Sequence, residues 1–326
     1  MLGGFLALLA AATFAINNAA FRRGALTGTV LQAMSISLAL GVLLFLLATV
    51  LTGSLDRVAA LPARSVLLLS VAGVLHFAWG RYCNFRATKA MGANLVGPVQ
   101  QLSLAVTLGL AVLVLGEALT PLRVLGIALL LLGPVFTIGA KPPAVSPGRD
   151  EAIRFVPNRA EGYLFALLSA TGYGVSPALV RLSLEDAAMV DVLAGGLVAH
   201  VAAGAALSLV LLAPGRLGEV MATSPRAGRW YALSAVLVGL SQLFGYMALA
   251  LAPVSVVTPI QRLSLVFRVY VNSLLNRDYE AIGGRVWLGT AVALLGALAL
   301  SVSTDAVLGW VPFPAWIEAG LRWRWP

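Results

Sequence analysis

The stretch Pro98-Val-Gln-Gln-Leu-Ser-Leu104 recurs 161 residues later as Pro259-Ile-Gln-Arg-Leu-Ser-Leu265, with five of the seven positions identical. Apolar helices match each other easily by chance, so the shared proline, glutamine and serine are the specific part of this match. Residues 4–23 also match residues 162–181, with a shift of 158. The two shifts differ by only a short insertion, which indicates that one half of the chain repeats the other.

The composition of the chain is that of a helical membrane protein. Of its 326 residues, 60% are hydrophobic and 11% are charged, and the mean hydropathy is +0.93. Soluble domains have roughly 45–50% apolar and about 25% charged residues. An ordinary cytosolic enzyme and a disordered chain are therefore excluded, and the single cysteine, Cys83, excludes a disulfide scaffold. Long apolar runs without alternation favour helices over an outer-membrane barrel.

Ten stretches of the sequence are long and apolar enough to cross a bilayer, which takes ~20 residues per helix. No Lys or Arg precedes the first stretch, so we interpret it as a retained helix and not as a signal peptide. Each repeat then holds five spans, and an odd number makes the second repeat enter the membrane in the opposite orientation. The predicted spans cover about residues 3–21, 28–51, 65–86, 93–115, 121–139, 162–180, 192–213, 229–251, 254–275 and 284–303.

The predicted fold is an all-α polytopic membrane protein with ten transmembrane helices in a 5+5 inverted repeat. We divide the chain into a first five-helix repeat at 1–140, a Pro-rich linker at 141–161, a second repeat at 162–303, and a Trp/Arg-rich tail at 304–326. Tryptophan and arginine favour the membrane interface, so the tail is expected to lie on the bilayer surface. Inverted repeats place a substrate between the halves near the midplane.

Several loose motifs accompany this five-plus-five pattern. They are Asn17-Asn18 and Arg22-Arg23 at the end of the first span, residues 86–98, Gly116-Glu117 after the fourth span, and residues 247–259. With these motifs the chain resembles the drug/metabolite transporter superfamily, specifically proteins with two EamA-type domains, over about 3–139 and 161–303. The resemblance implies an EamA-like, ten-helix carrier of small metabolites, often an exporter, with a central cavity and alternating access. It also implies a multi-pass protein of the cell inner (plasma) membrane.

Three arginines fall inside predicted spans, where an ionisable side chain is costly and is a functional candidate by default. Arg262 lies eight residues into its helix, on the order of 12 Å deep, whereas Arg81 and Arg268 lie nearer helix ends and could snorkel. Under the repeat, Arg81 aligns with Gln242, and Gln101 aligns with Arg262. Each half therefore offers an arginine where the other offers a glutamine.

None of the thirteen acidic residues falls well inside a predicted span, so no carboxylate neutralises these arginines. We therefore predict that Arg262, flanked by Gln261 and facing Gln100 and Gln101, binds an anionic substrate group, since arginine suits bidentate capture of carboxylates. The alternative is that these amides and arginines hydrogen-bond one another as packing contacts between helices.

Other polar and aromatic residues complete the predicted site. Amides inside a span should face the bundle interior, and a histidine in the middle of a span titrates near neutrality. Aromatic rings suit the wall of a cavity. For each of these residue types, ordinary packing between helices is the alternative. Prolines within helices free a backbone carbonyl and act as hinges. The predicted substrate-binding residues are Asn17, Asn18, His76, Trp79, Arg81, Tyr82, Gln100, Gln101, Tyr173, Gln242, Tyr246, Gln261, Arg262 and Arg268, and the predicted hinges are Pro98 and Pro259.

Catalytic and cofactor chemistry is not expected. The only histidines are His76 and His200, there is no His-x-x-x-His pair, and no phosphate-binding loop occurs, so we predict neither an enzyme nor an ATPase, and neither a metal nor a cofactor. The net charge of +9 is attributed to arginines facing lipid headgroups and not to nucleic-acid binding. Glycines seven apart in spans five and ten predict close helix packing, within one chain or in a homodimer.

The sequence thus predicts a secondary transporter of a small anionic or zwitterionic metabolite, such as an amino acid or organic acid. The resemblance implies that the direction of transport is export. The alternatives are an exporter of drugs or cationic amphiphiles, which typically needs a buried carboxylate, and a membrane-embedded protein without transport. Loops after odd-numbered spans carry 13 Lys or Arg against six after even-numbered spans and in the tail. That count predicts both termini outside, whereas the resemblance implies both termini in the cytoplasm.

Overall fold

The computed structural model describes residues 2–115, 120–140, 155–183, 189–251, 257, 260–302, 304–310 and 314–323. These residues are predominantly α-helical, with short turns between the helices. The helices are α1 Leu2–Ala25, α2 Val30–Leu51, α3 Leu55–Ala60, α4 Ala63–Met91, α5 Ala93–Gln100, α6 Leu102–Leu115, α7 Pro121–Thr137, α8 Arg159–Ser183, α9 Met189–Leu211, α10 Arg216–Met221, α11 Pro225–Leu251, α12 Ser264–Leu275, α13 Gly284–Ser301, α14 Thr304–Trp310 and α15 Ala315–Arg322.

Within the described part of the chain, six helices are long and apolar enough to cross a membrane: α1, α2, α4, α8, α9 and α13. The shorter apolar helix α7 joins them. Large apolar side chains point outward from these helices, for example Leu43 on α2, Leu131 on α7 and Leu209 on α9. A bilayer is the solvent that accommodates such a surface, so the protein is an integral, multi-pass membrane protein. The remaining predicted spans fall on α5–α6, α11 and α12.

Helix α4 contains a π-helical segment, Val74–Gly80, in its middle. A π turn shifts the phase of the helix, and such segments often occur at functional sites. Glycines flank it on both sides: Gly73 packs against the backbone of Ala199 on α9, and Gly80 packs against the ring of Tyr173 on α8. The segment therefore brings α4 into close contact with the two helices that face it across the centre of the molecule.

The predicted span 93–115 is interrupted after a single short helix. Pro98 lies inside α5, which ends at Gln100, and the N–H of Gln101 donates to the carbonyl oxygen of Pro98 at 3.2 Å. Helix α6 then begins at Leu102. The second predicted hinge, Pro259, lies outside the described residues.

The helix contacts of one half have counterparts in the other half. Helix α1 packs on α11 and α12, as α8 packs on α4 and on α5–α6. Helix α2 packs on α11, as α9 packs on α4. Two contacts, α2 with α9 and α7 with α13, join equivalent helices of the two halves. Exchanging the halves therefore leaves this contact pattern unchanged.

The α7–α13 contact uses the glycines that the sequence singles out. A Cβ at Gly133 would lie 2.8 Å from the Ala293 side chain, and one at Gly296 would lie 2.8 Å from the carbonyl oxygen of Gly126. A Cβ at Gly289 would lie 2.7 Å from the carbonyl oxygen of Gly133. Small residues thus let the two helices approach closely within one chain.

The linker and tail are described only in part. Residues 141–154 lie outside the described ranges, and α8 begins at Arg159. In the tail, α14 and α15 are joined by Arg322, whose Nη1 donates to Asp305 Oδ1 at 2.9 Å.

Candidate functional site

A cavity of about 690 Å³ lies between the two halves, lined by α1, α4, α5–α6, α8, α9, α11 and the segment that leads into α12. Its walls are mainly apolar with a small number of polar groups, the usual make-up of a small-molecule site. Nine of the fourteen predicted substrate-binding residues line it: Asn17, His76, Arg81, Gln100, Gln101, Tyr173, Gln242, Gln261 and Arg262.

Arg262 contributes to this cavity a cation that no described carboxylate compensates. Its side chain is half-buried, and its buried Nε has no hydrogen-bond partner among the described residues. The neighbouring wall residue Gln101 likewise has a buried Oε1 without a partner. No aspartate or glutamate is among the described residues that line the cavity. A buried guanidinium without an anion is costly, so this arrangement favours a ligand that supplies the negative charge.

Arg81, the other cation of the cavity wall, is held by neighbouring helices. Its Nη1 donates to Ser37 Oγ on α2 at 2.8 Å, and its guanidinium carbon lies 4.9 Å from the centre of the Phe77 ring. Arg81 thus has a hydroxyl and an aromatic face as partners, but no carboxylate within salt-bridge distance in the described structure. It adds positive potential to the cavity while being more fixed in place than Arg262.

His76 lies on the π-helical segment and bonds across to α8. Its Nδ1 lies 2.7 Å from Ser176 Oγ, and its ring packs against Tyr173 with 4.6 Å between ring centres. All three residues line the cavity. They form a polar and aromatic part of the cavity wall, suited to the less polar part of a small molecule.

Arg268 lies behind the cavity wall and not in it. The side chain is buried, and both Nη1 and Nη2 donate to Gln100 Oε1, at 3.2 and 3.1 Å. The ring of Phe14 lies 5.7 Å from the guanidinium carbon. The structure therefore places Arg268 as a partner of the wall residue Gln100.

Four other predicted residues do not line the described cavity or cannot be placed. The Asn18 amide donates to the carbonyl oxygen of Phe14 within its own helix at 2.7 Å. Trp79 is 46% exposed on the outer surface of α4, and the Tyr82 hydroxyl accepts a bond from Arg86 at 3.0 Å. The side chain of Tyr246 lies outside the described set.

A second cluster of buried polar residues lies near the ends of α1 and α4. Arg22 Nε lies 2.9 Å from Glu280 Oε1, an ion pair without the alignment of a hydrogen bond. The Glu280 oxygens accept from the backbone N–H groups of Ala93 and Asn94, at 2.7 and 2.9 Å. Arg22 Nη2 donates to the Tyr279 carbonyl oxygen at 2.6 Å. We call Arg22, Glu280 and the first turn of α5 the closing cluster.

Three asparagines extend the closing cluster toward the centre. Asn94 donates to the Ala281 carbonyl oxygen at 3.1 Å and accepts from Asn272 at 3.1 Å. Asn276 donates to Asn272 Oδ1 at 2.8 Å and to the Ala19 carbonyl oxygen at 3.0 Å. These bonds tie α1, α5 and α12 together.

Sequence reasoning missed the closing cluster. It placed Arg22 in a loop after the first span, whereas α1 continues to Ala25 and buries that side chain. The chain has few acidic residues, so each glutamate was a candidate partner for a buried arginine. Nothing in the sequence, however, indicates that Glu280 is the partner of Arg22. Only the packing of α1 against α12 brings them together.

The cavity is not centred between the two faces of the helix bundle. Its lining on α8 and α9 reaches Val180 and Val192, each about 5 Å from the helix ends at Ser183 and Met189. At the other end of α8 the lining begins only at Tyr173, about 21 Å after the helix begins at Arg159. The cavity therefore extends toward the face where α8 ends, which we call the cavity face. The closing cluster lies at the opposite, closed face.

Comparison with known proteins finds a family match in the first half of the chain. Residues 1–139, which carry Arg22, Arg81, Gln100 and Gln101, match the model of the EamA-like transporter family. The match covers less than half of the chain, so it shows what the first half is similar to. This likeness and the apolar helices point to a membrane transporter of small molecules. No curated protein matches the chain.

A solved structure shows a likeness that extends beyond the first half of the chain. It is described as "Crystal structure of protein", and it aligns with a TM-score of 0.50 and 19% sequence identity. The alignment covers 91% of this chain and 94% of that chain. At this identity the likeness shows a shared fold, and it spans both halves of the molecule.

Proposed function

We propose that this protein is a secondary transporter, of the EamA type, for a small anionic or zwitterionic metabolite such as an amino acid or an organic acid. In this proposal ten transmembrane helices form two inverted five-helix repeats that alternate access to the central cavity. The exchangeable helix contacts of the two halves support the repeat, together with the repeated Pro-x-Gln-x-x-Ser segment. The family resemblance favours export across the inner membrane.

The observation that carries the substrate class is the uncompensated charge of Arg262. It lines a cavity large enough for a metabolite, and its Nε has no partner among the described residues. Gln100, Gln101 and Gln261 line the same cavity and can hydrogen-bond the polar atoms of a bound molecule. A substrate carboxylate would compensate Arg262 when it binds, since an arginine can hold a carboxylate through two parallel hydrogen bonds.

A binding experiment tests the substrate class. Purified protein in detergent is heated with succinate, benzoate, glutamate, phenylalanine or the cation tetraphenylphosphonium, and the shift in unfolding temperature is measured. We expect stabilisation by at least one carboxylate, loss of that stabilisation in Arg262→Ala, and partial recovery in Arg262→Lys, which keeps the charge but loses the fork. Arg322→Ala, which changes an exposed tail arginine, is the matched control.

Two outcomes contradict the proposal. Stabilisation by the cation and by none of the four carboxylates would favour the export of cationic amphiphiles. Equal stabilisation of the wild type and Arg262→Ala by a carboxylate would leave Arg262 as a packing residue. Uptake of the bound carboxylate into proteoliposomes then separates a transporter from a non-transporting binding protein.

Alternating access is tested separately by the accessibility of single cysteines in a Cys83→Ala background. Val180→Cys, at the cavity face, should react readily with a membrane-impermeant thiol reagent in detergent. Thr88→Cys, buried at the closed face, should be protected and should react faster when the bound carboxylate is present. Protection of Thr88→Cys under all substrate conditions would argue against alternating access.

A further inference from the structure

The bond between Arg268 and Gln100 determines which atoms Gln100 offers to the cavity. Both terminal nitrogens of Arg268 donate to one oxygen, Gln100 Oε1, at 3.2 and 3.1 Å. Arg268 is 2% exposed and Gln100 is 5% exposed, so little water competes for these bonds. The contact joins α12 to α5, one helix from each half of the molecule.

The orientation of the Gln100 amide follows from the chemistry of its partner. A guanidinium has five N–H donors and no acceptor, so an amide that faces it must present its oxygen. The amide nitrogen of Gln100 then points elsewhere, and it donates to no described residue. Because Gln100 lines the cavity, its two free N–H groups are available there.

We propose that Arg268 is a positioning residue, which holds the Gln100 amide with its N–H groups toward the cavity and so adds a neutral donor beside Arg262. This inference rests on the proposed function, because an anion accepts hydrogen bonds and can bind to a site that offers only donors. It changes the role predicted for Arg268 from direct contact with substrate to control of a contacting amide.

In the described part of the chain, Gln261 has no bond equivalent to the one between Arg268 and Gln100. The repeat shift that aligns Gln100 with Gln261 aligns Arg268 with Thr107. Thr107 donates to the carbonyl oxygens of Ser103 and Gly174, at 3.0 and 2.8 Å, so its hydroxyl is engaged elsewhere. Among the described residues no charged side chain therefore holds the Gln261 amide, and the proposed anion site is asymmetric between the halves.

A double-mutant cycle tests the positioning role with succinate and benzoate as the probes. We expect Arg268→Met and Gln100→Leu each to weaken binding of the anion roughly tenfold, and the double variant to weaken it by about the same factor, because both remove one donor. In a Gln261→Leu background, Arg268→Met should still weaken binding roughly tenfold. That background is the matched control, because Gln261 lines the same cavity without a guanidinium partner.

A second variant gives a readout that a merely structural role would not move. Gln100→Glu keeps the shape of the side chain and places a carboxylate against Arg268, so the unfolding temperature without anion should stay the same or rise. The same change removes both N–H donors, so binding of succinate and benzoate should fall at least tenfold. Anion binding would then weaken without any loss of stability.

Two results overturn the inference. If Arg268→Met weakens binding by the same factor with and without Gln100→Leu, Arg268 acts through its own charge and not through the amide. If Gln100→Glu binds the anions as well as the wild type, the N–H groups do not contact them. In both cases wild-type binding stands, so the proposed function survives; a wild type that binds neither these nor any other tested carboxylate overturns both.

Discussion

Two arginines of this protein, the buried Arg22 and the half-buried Arg262, have opposite surroundings. Arg22, in the closing cluster, lies 2.9 Å from the carboxylate of Glu280 and donates to backbone carbonyl oxygens of α4 and of the segment before α13. Arg262, in the cavity wall, has no carboxylate partner, and its Nε has no hydrogen-bond partner in the described part of the chain. The comparison teaches that burial alone does not mark a functional charge; the missing anion does.

The largest expected effect is on the closing cluster. Glu280→Ala leaves Arg22 buried without a counter-charge and removes the acceptor for two N–H groups of α5, so it should lower the free energy of unfolding by about 3–5 kcal/mol. Unfolding in detergent by a denaturant series measures this. Glu161→Ala, which breaks the exposed pair with Arg86, is the control and should cost at most about 1 kcal/mol. Equal losses in the two variants would contradict the distinction.

A glycine beside the closing cluster sharpens the comparison. Gly92 has a φ of 93°, and a Cβ there would lie 2.8 Å from Glu280 Oε2. Gly92→Ala should therefore cost roughly 2–3 kcal/mol, from backbone strain and from displacement of the carboxylate. Gly215→Ala shares the positive φ of 78° but meets no atom within 4 Å, so its loss should be about 1 kcal/mol. Matching unfolding curves for the two variants would show that the carboxylate tolerates the methyl group.

The smallest expected effect on stability belongs to the cavity arginine, and its sign is reversed. Arg262→Met replaces a half-buried cation that has no anion, so the free energy of unfolding should stay the same or rise by up to about 1–2 kcal/mol. Stabilisation by added carboxylate should disappear. The same denaturant series, with and without succinate or benzoate, measures both quantities. A loss of stability as large as that of Glu280→Ala would place Arg262 among the structural charges.

The sequence by itself determined the class of the molecule and most of the polar residues in the cavity wall. Long apolar stretches predict helices in any context, because every backbone group in lipid must be satisfied within the segment. The repeated segment drew attention to Gln100, Gln101, Gln261 and Arg262, and all four line the cavity. Such residues stand out in a sequence because a polar side chain is rare in an apolar stretch.

Tertiary structure alone decided which side of each helix faces the cavity. His76 and Trp79 are three residues apart, yet the π-helical segment turns His76 toward Ser176 and leaves Trp79 on the outer surface. The pairing of Arg22 with Glu280 was likewise decided by the packing of α1 on α12. The physical reason is that helix phase and contacts between distant segments depend on the whole bundle, and a local pattern of residue types carries neither.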